Sequence, residues 1–174
     1  MSDPRVRAMA FTDCGRVSEI RVRGWQTAYR GLVPQSYLDG LSEKEDAERR
    51  RGRFGQGDGS VVNLVAEEAD EIVGWAAHGP YRDGDVRAAD AELYALYVDV
   101  DRLGGGLGRR LLTESVRQCA ALGHERMYLW VLRDNARARR FYERAGFSAD
   151  GAEEPFEVDG ALVPEVRYVK RLAD

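Results

Sequence analysis

Apolar and polar positions along this chain follow two rhythms, and the switches between them predict the order of elements. VRAMA (6–10) alternates briefly and predicts a first strand. The period then lengthens. Val17, Ile20, Trp25 and Ala28 fall near helical spacing behind Thr12 or Asp13 as a cap. GLVP breaks that helix at Pro34, and a short helical piece carries Leu38 and Leu41. SEKEDAERRRGRF (42–54) predicts a charged helix whose opposite charges support each other on a solvated face. Gly55, Gly57 and Gly59 mark a loop.

VVNLVAEE (61–68) and EIVGWAAHG (71–79) return to strand rhythm and predict a hairpin turning near Ala69-Asp70. PYRDGDVRAAD (80–90) predicts a loop. AELYALYVDV (91–100) is apolar at nearly every position, as in a central strand covered on both faces. In LGRRLLTESVRQCAALG (107–123), Leu107, Leu111, Val116, Cys119 and Ala120 share one side of a helix ended by Gly123. ERMYLWVLR (125–133) is the next strand. Asn135 opens a helix with Ala138, Phe141, Tyr142 and Ala145 on one face, stopped by Gly146 with Phe147 packing back. Two last strands, 147–158 and 163–172, flank the Asp159-Gly160 hairpin signal. The order predicts a single mixed α/β domain spanning 1–174, with one sheet and helices on it.

DVDRLGGGLGRRLL (99–112) adds chemistry to that outline. A buried strand running through glycines into a helix exposes the helix's first N–H groups, which lack partners and carry the positive end of the dipole. Glycines let the main chain approach an anion closely. Gly104, Gly106 and Gly108 line the turn, with Arg109 and Arg110 beside it. The P-loop pattern fails, because Gly108-Arg109-Arg110 lacks Gly-Lys-Ser/Thr. The dinucleotide fingerprint fails too, because its third glycine would be Arg109 or Leu111.

Composition narrows the partners. The net charge of −4 argues against a general nucleic-acid binder, although the positive charge is nearly all arginine, with Lys44 and Lys170 the only lysines. Cys14 and Cys119 stand far apart without metal-ligand spacing, so no metal is expected and a reducing, cytoplasmic compartment is. No apolar segment approaches membrane-spanning length, so no membrane partner is expected.

LYVDVDRLGGGLGRRLL resembles motif A of the GNAT superfamily of N-acetyltransferases, in which a strand ending Tyr-Val-Asp leads into Gln/Arg-x-x-Gly-x-Gly/Ala. Gly106 and Gly108 take the small positions. Leu103 takes the Gln/Arg position and departs from the pattern; because main-chain amides would make most contacts, binding is expected to weaken rather than vanish. Asn135, Ala138, Phe141, Tyr142, Gly146 and Phe147 match motif B, and GWQTAYRGLVPQSYLDGLS is similar to the acceptor-side helices of bacterial members. The resemblance implies a mostly antiparallel sheet of about seven strands with a splayed central pair, and acetyl-CoA as cosubstrate.

It further implies cofactor contacts from Leu96, Tyr97, Val98, Val100, Leu103, Gly104, Gly105, Gly106, Leu107, Gly108, Arg109, Asn135, Ala138 and Tyr142. The splay would free main-chain groups on Leu96, Tyr97, Val98 and Val100, and an N–H near Leu96 or Tyr97 would stabilise an oxyanion as an amine attacks directly. Tyr142 is expected to donate a proton to the departing thiolate, and Glu92 to take one from the acceptor amine, directly or through water. Asn135 orients the cofactor or caps its helix; Asp99 fixes the turn. Trp25, Tyr29 and Tyr37 either wall the acceptor pocket or pack the helices, and His78 could reach the cleft. The acceptor is a small-molecule or peptide amine, and a homodimer is a family expectation. A different class keeps the cofactor wedge without turnover, as an acyl-CoA sensor.

Overall fold

The computed structural model describes residues 3–82 and 89–172. The strands are β1 (Arg5–Ala8), β2 (Val62–Glu68), β3 (Glu71–Pro80), β4 (Ala91–Val98), β5 (Arg126–Leu132), β6 (Ser148–Val158) and β7 (Ala161–Arg171). The helices are α1 (Cys14–Ala28), α2 (Gln35–Asp39), α3 (Glu43–Arg53), α4 (Leu107–Ala121) and α5 (Ala136–Arg144). The strands form one sheet in the order β1-β2-β3-β4-β5-β7-β6. Neighbours run antiparallel except β4 and β5, which run parallel. The loop predicted over 80–90 lies in part, at 83–88, outside the described residues.

The sheet is covered on both faces, as the apolar β4 required. On one face Leu107 and Leu111 of α4 pack with Leu64, Ala66 and Ala76, while Leu112 and Cys119 pack with Leu93, Leu129 and Tyr168. On the other, Val17 and Ile20 of α1 pack on Val65, Trp75 and Ala77, and Trp25 packs with Leu38, Leu132 and Val163. Both hairpins turn through consecutive positive-φ residues, Ala69-Asp70 and Asp159-Gly160, whose twist matches that of paired strands.

Helix ends follow local chemistry. Asn135 Oδ1 caps α5 by accepting from Ala138 N at 3.2 Å. At the other end Phe147 N donates to Tyr142 O and Gly146 N to Glu143 O, the paired bonds of a left-handed glycine stop. Two expectations are corrected. Asp13 stands at the N-cap of α1 but makes no side-chain cap bond, because its carboxylate takes Ala10 N at 2.7 Å and Arg7 at 2.8 Å. The charges of α3 are not all solvated. Asp46 is buried between Arg21 (2.9 Å) and Arg50 (3.2 Å), and the Arg50 guanidinium lies 4.3 Å from the Trp75 ring centre.

Candidate active site

The parallel pair β4–β5 holds register only at Ala91–Met127 and Glu92–Tyr128, after which the strands part. On its other side β4 stays paired to β3 as far as Val98. In an antiparallel ladder, successive residues turn their N–H and C=O groups to alternate sides. Asp99 N donates to Val73 O at 2.9 Å, so Asp99 and Tyr97 bond toward β3. Leu96 and Val98 therefore turn their main-chain groups into the gap. The expectation of free groups on Tyr97 is corrected by this alternation. A bulge places Tyr94 as an extra residue between Leu93 and Ala95, which sets Glu92, Tyr94, Ala95 and Tyr97 toward the α1 face.

The gap opens into a cleft of about 1480 Å³. One end lies at the start of α4. Gly106 is its N-cap at φ +83°, Gly104 precedes it at φ +84°, and no side chain caps the helix. A Cβ at either glycine would meet nothing within 4 Å, so the surface above the turn is bare. Asp99 shapes this turn by accepting from Asp101 N at 3.0 Å and pairing with Arg16. Burial opposes charge on Asp99, but these two partners outweigh it and hold its carboxyl below the ordinary range. Arg109, Arg137, Arg140 and Arg144 line the same end, none with a carboxylate within 4 Å among the described residues.

The other end is walled by Trp25 of α1, Tyr29 just after it, Glu92 of β4, Glu154 and Phe156 of β6, and Glu165 of β7. Trp25 stands edge-on to Tyr29 with ring centres 4.6 Å apart, and 6.1 Å from Phe156. Both readings of these aromatics hold together, since they pack α1 to the sheet and face the cleft. Tyr37 packs on Trp25 at 5.9 Å without lining it. Glu92 is buried, and Arg82 donates to its carboxylate from its main-chain N (3.2 Å), Nε (3.4 Å) and Nη2 (3.1 Å).

Tyr142 lines the cleft near Tyr29 and Tyr97. Burial pushes its phenol well above the ordinary value, with Tyr97 adding to the shift. The Tyr29 and Tyr97 hydroxyls are 3.5 Å apart, and burial raises both phenols likewise. All three remain protonated at neutral pH.

Of the residues expected at the site, Leu96, Tyr97, Val98, Val100, Leu103, Gly104, Gly106, Leu107, Gly108, Arg109, Asn135, Ala138 and Tyr142 line the cleft, as do Trp25, Tyr29 and Glu92. Gly105 lies outside that lining, in a smaller hollow beside Pro4 and Glu68. His78 is corrected outright. It pairs with Leu93 in register, faces α4 rather than α1, is 1 % exposed, and its ring nitrogens have no hydrogen-bond partner among the described residues.

Glu154, Glu165, Arg82 and the α5 arginines were missed. A charged residue inside an alternating strand was the available signal for Glu165. Gly24 was also missed, although an isolated glycine in a helical pattern marks a close approach. A Cβ there would come within 3.0 Å of the Tyr97 ring. Among the described residues no group of three or more His, Cys, Asp or Glu could hold a metal ion, and no helix is long and apolar enough to cross a membrane.

Comparison with known proteins bears on this cleft. Residues 25–147 match the model of the acetyltransferase (GNAT) family. The uncharacterized N-acetyltransferase YuaI of Bacillus subtilis is 30% identical over 162 residues, covering 92% of this chain and 89% of the relative. The structure of PaiA N-acetyltransferase from Thermoplasma acidophilum in complex with coenzyme A is 20% identical, with TM-score 0.72 over 97% of this chain and 99% of that one. YncA of Salmonella typhimurium, solved with acetyl-CoA, is 22% identical, with TM-score 0.74 over 99% and 96%.

Proposed function

The chain belongs to the acetyltransferase (GNAT) family, and from that premise we propose that it moves an acetyl group from acetyl-CoA to the primary amine of a small-molecule or peptide acceptor, by direct attack with both bound. One observation carries the reading: a cleft formed where β4 and β5 part, cationic at one end and carboxylate-lined at the other. Such a cleft suits an anionic cofactor meeting a cationic amine.

The residues present fit coenzyme A. The free N–H groups opening α4 would hold the pyrophosphate, with Arg109, Arg137, Arg140 and Arg144 neutralising phosphate charge. Leu96 and Val98 would bond the amide-rich pantetheine arm as a strand would. When bound, acetyl-CoA supplies the acetyl group as an activated thioester. The Leu96 N–H is then the donor for negative charge developing on the carbonyl oxygen. Tyr142, kept protonated by burial, holds a proton for the departing sulfur. Glu92 orders Arg82 at the acceptor end.

In this reading Cys14 and Cys119 stay reduced in the cytoplasm, and a homodimer is expected from the family resemblance. The test is thiol release from acetyl-CoA across a panel of amines, with cofactor binding measured alongside. A second reading, an acyl-CoA sensor without turnover, draws on Leu103, an exposed leucine at the cleft where the family pattern has a polar side chain. Cofactor binding with no thiol release from any amine favours the sensor.

A further inference from the structure

An acceptor amine enters as an ammonium and cannot attack until it loses a proton. Two carboxylates line the acceptor end on different strands, and their surroundings differ. Both Glu92 oxygens already accept from Arg82, so its charge is paired and an ammonium meets a guanidinium beside it. Glu165 has no hydrogen-bond or ion-pair partner among the described residues, yet it is partly buried and lines the cleft. It sits in register with Leu132 on one side and Glu154 on the other. The next cation along its face of β7, Arg167, is committed to Asp150 (2.7 Å) and to the Tyr81 hydroxyl (3.0 Å).

We propose that Glu165, not Glu92, takes the proton from the acceptor's ammonium. This assignment rests on the acetyltransferase reading above. One ammonium proton passes to a Glu165 oxygen, and the freed lone pair forms the bond to the acetyl carbon. The carbon–sulfur bond breaks. The sulfur accepts a proton from Tyr142, whose phenol is restored by the second proton leaving the nitrogen. Glu165 releases its proton to solvent at the rim, where Glu154 is exposed.

Among the described residues the groups facing Glu165 are Glu154 from β6, Glu92 with its Arg82 from β4 and the segment after β3, and Tyr29 just after α1. Among the described residues none supplies it with an uncommitted positive charge. Burial first, then Glu154 and Glu92, raises its carboxyl to about 7. A base with that affinity is half loaded near neutrality, which suits proton transfer at physiological pH.

The experiment compares the native chain with Glu165→Gln and Glu92→Gln, both near-isosteric, using acetyl-CoA with glycinamide or hydroxylamine. Glycinamide resembles the expected acceptors, whereas hydroxylamine is largely unprotonated at neutral pH and needs no base. Glu165→Gln is expected to lose about 10²-fold in kcat/KM for glycinamide and only a few-fold for hydroxylamine. The acid limb of the pH profile should disappear in Glu165→Gln and persist in Glu92→Gln. Carbon-13 NMR of glutamate carboxyls, read on the chain without acetyl-CoA, should show a signal titrating near 7 that Glu165→Gln removes. Loss of the limb in Glu92→Gln alone, or an ordinary carboxylate titration for Glu165, overturns the assignment. Cofactor binding without thiol release from either amine overturns it at its premise, by removing the transferase reading itself.

Discussion

Arg16 of α1 and Asp99 at the end of β4 form an ion pair at 2.5 Å, and the same guanidinium donates from Nε to Ile72 O at 3.0 Å. One side chain thus ties the helix that walls the acceptor end to the turn that opens the cofactor end. The Asp99 carboxylate is buried while Arg16 is partly exposed, so removing the cation leaves a charge poorly solvated.

Arg16→Ala should therefore destabilise the fold by about 2 kcal/mol, less than a fully buried pair because solvent reaches the guanidinium. Thermal unfolding measures this. Calorimetric titration should show weaker coenzyme A binding as the turn loosens. Unchanged stability would show that Asp101 N and Arg23, 3.7 Å from Asp99, suffice to hold it.

At Gly106 the backbone is left-handed and the space above it empty. Gly106→Val is expected to cost about 1–2 kcal/mol in backbone strain, and its side chain would project where an anion must approach. Coenzyme A affinity should fall at least about tenfold, with a smaller change for Gly105→Ala. Native affinity in Gly106→Val contradicts a phosphate site at this turn.

Tyr142→Phe keeps the ring packed between Phe141 and Phe147 and removes only the hydroxyl. Turnover should drop about 10²-fold while the dissociation constant for acetyl-CoA stays near native. Equal turnover, with acetyl transfer limiting the rate, would remove Tyr142 as proton donor.

A buried group and a partly buried one make stability depend on pH in opposite directions. Burial holds His78 below its ordinary 6.5, so its stabilising contribution is present above 6.5 and is lost as pH falls through the folded value. Glu165 is raised from 4.5 to about 7, so its contribution is full below 4.5 and is lost as pH rises through about 7. Melting temperatures at pH 8 and pH 5.5 should fall on acidification more steeply in Glu165→Gln than in the native chain. His78→Phe should flatten the same comparison.

Gly24→Ala adds a methyl within 3.0 Å of the Tyr97 ring. The ring is hemmed in by Trp75, stacked at 6.0 Å, and by the Tyr29 hydroxyl, so it must shift toward the cleft. Reduced acceptor turnover with coenzyme A affinity retained is the expected pattern, measured by steady-state kinetics and titration.

Sequence by itself determined the element order, both hairpins, the glycine turn before α4, the capped start of α5 and its glycine stop. Each depends on contacts within a few residues, where side-chain period and backbone preference act directly. It also marked β4 as a strand buried on both faces, because a short run apolar at nearly every position fits a central strand covered from both sides. Tertiary structure decided which groups share the cleft. His78 and Glu92 both lie near the β3–β4 loop, yet the sheet puts them on opposite faces, since one residue's difference in register reverses a side chain. Glu165 lies far from motifs A and B in sequence and reaches the acceptor end only because β7 inserts between β5 and β6. Long-range strand order has no local signature, so the pairing of Glu92 with Arg82, and the lack of any such partner for Glu165 among the described residues, emerged only when the chain was folded.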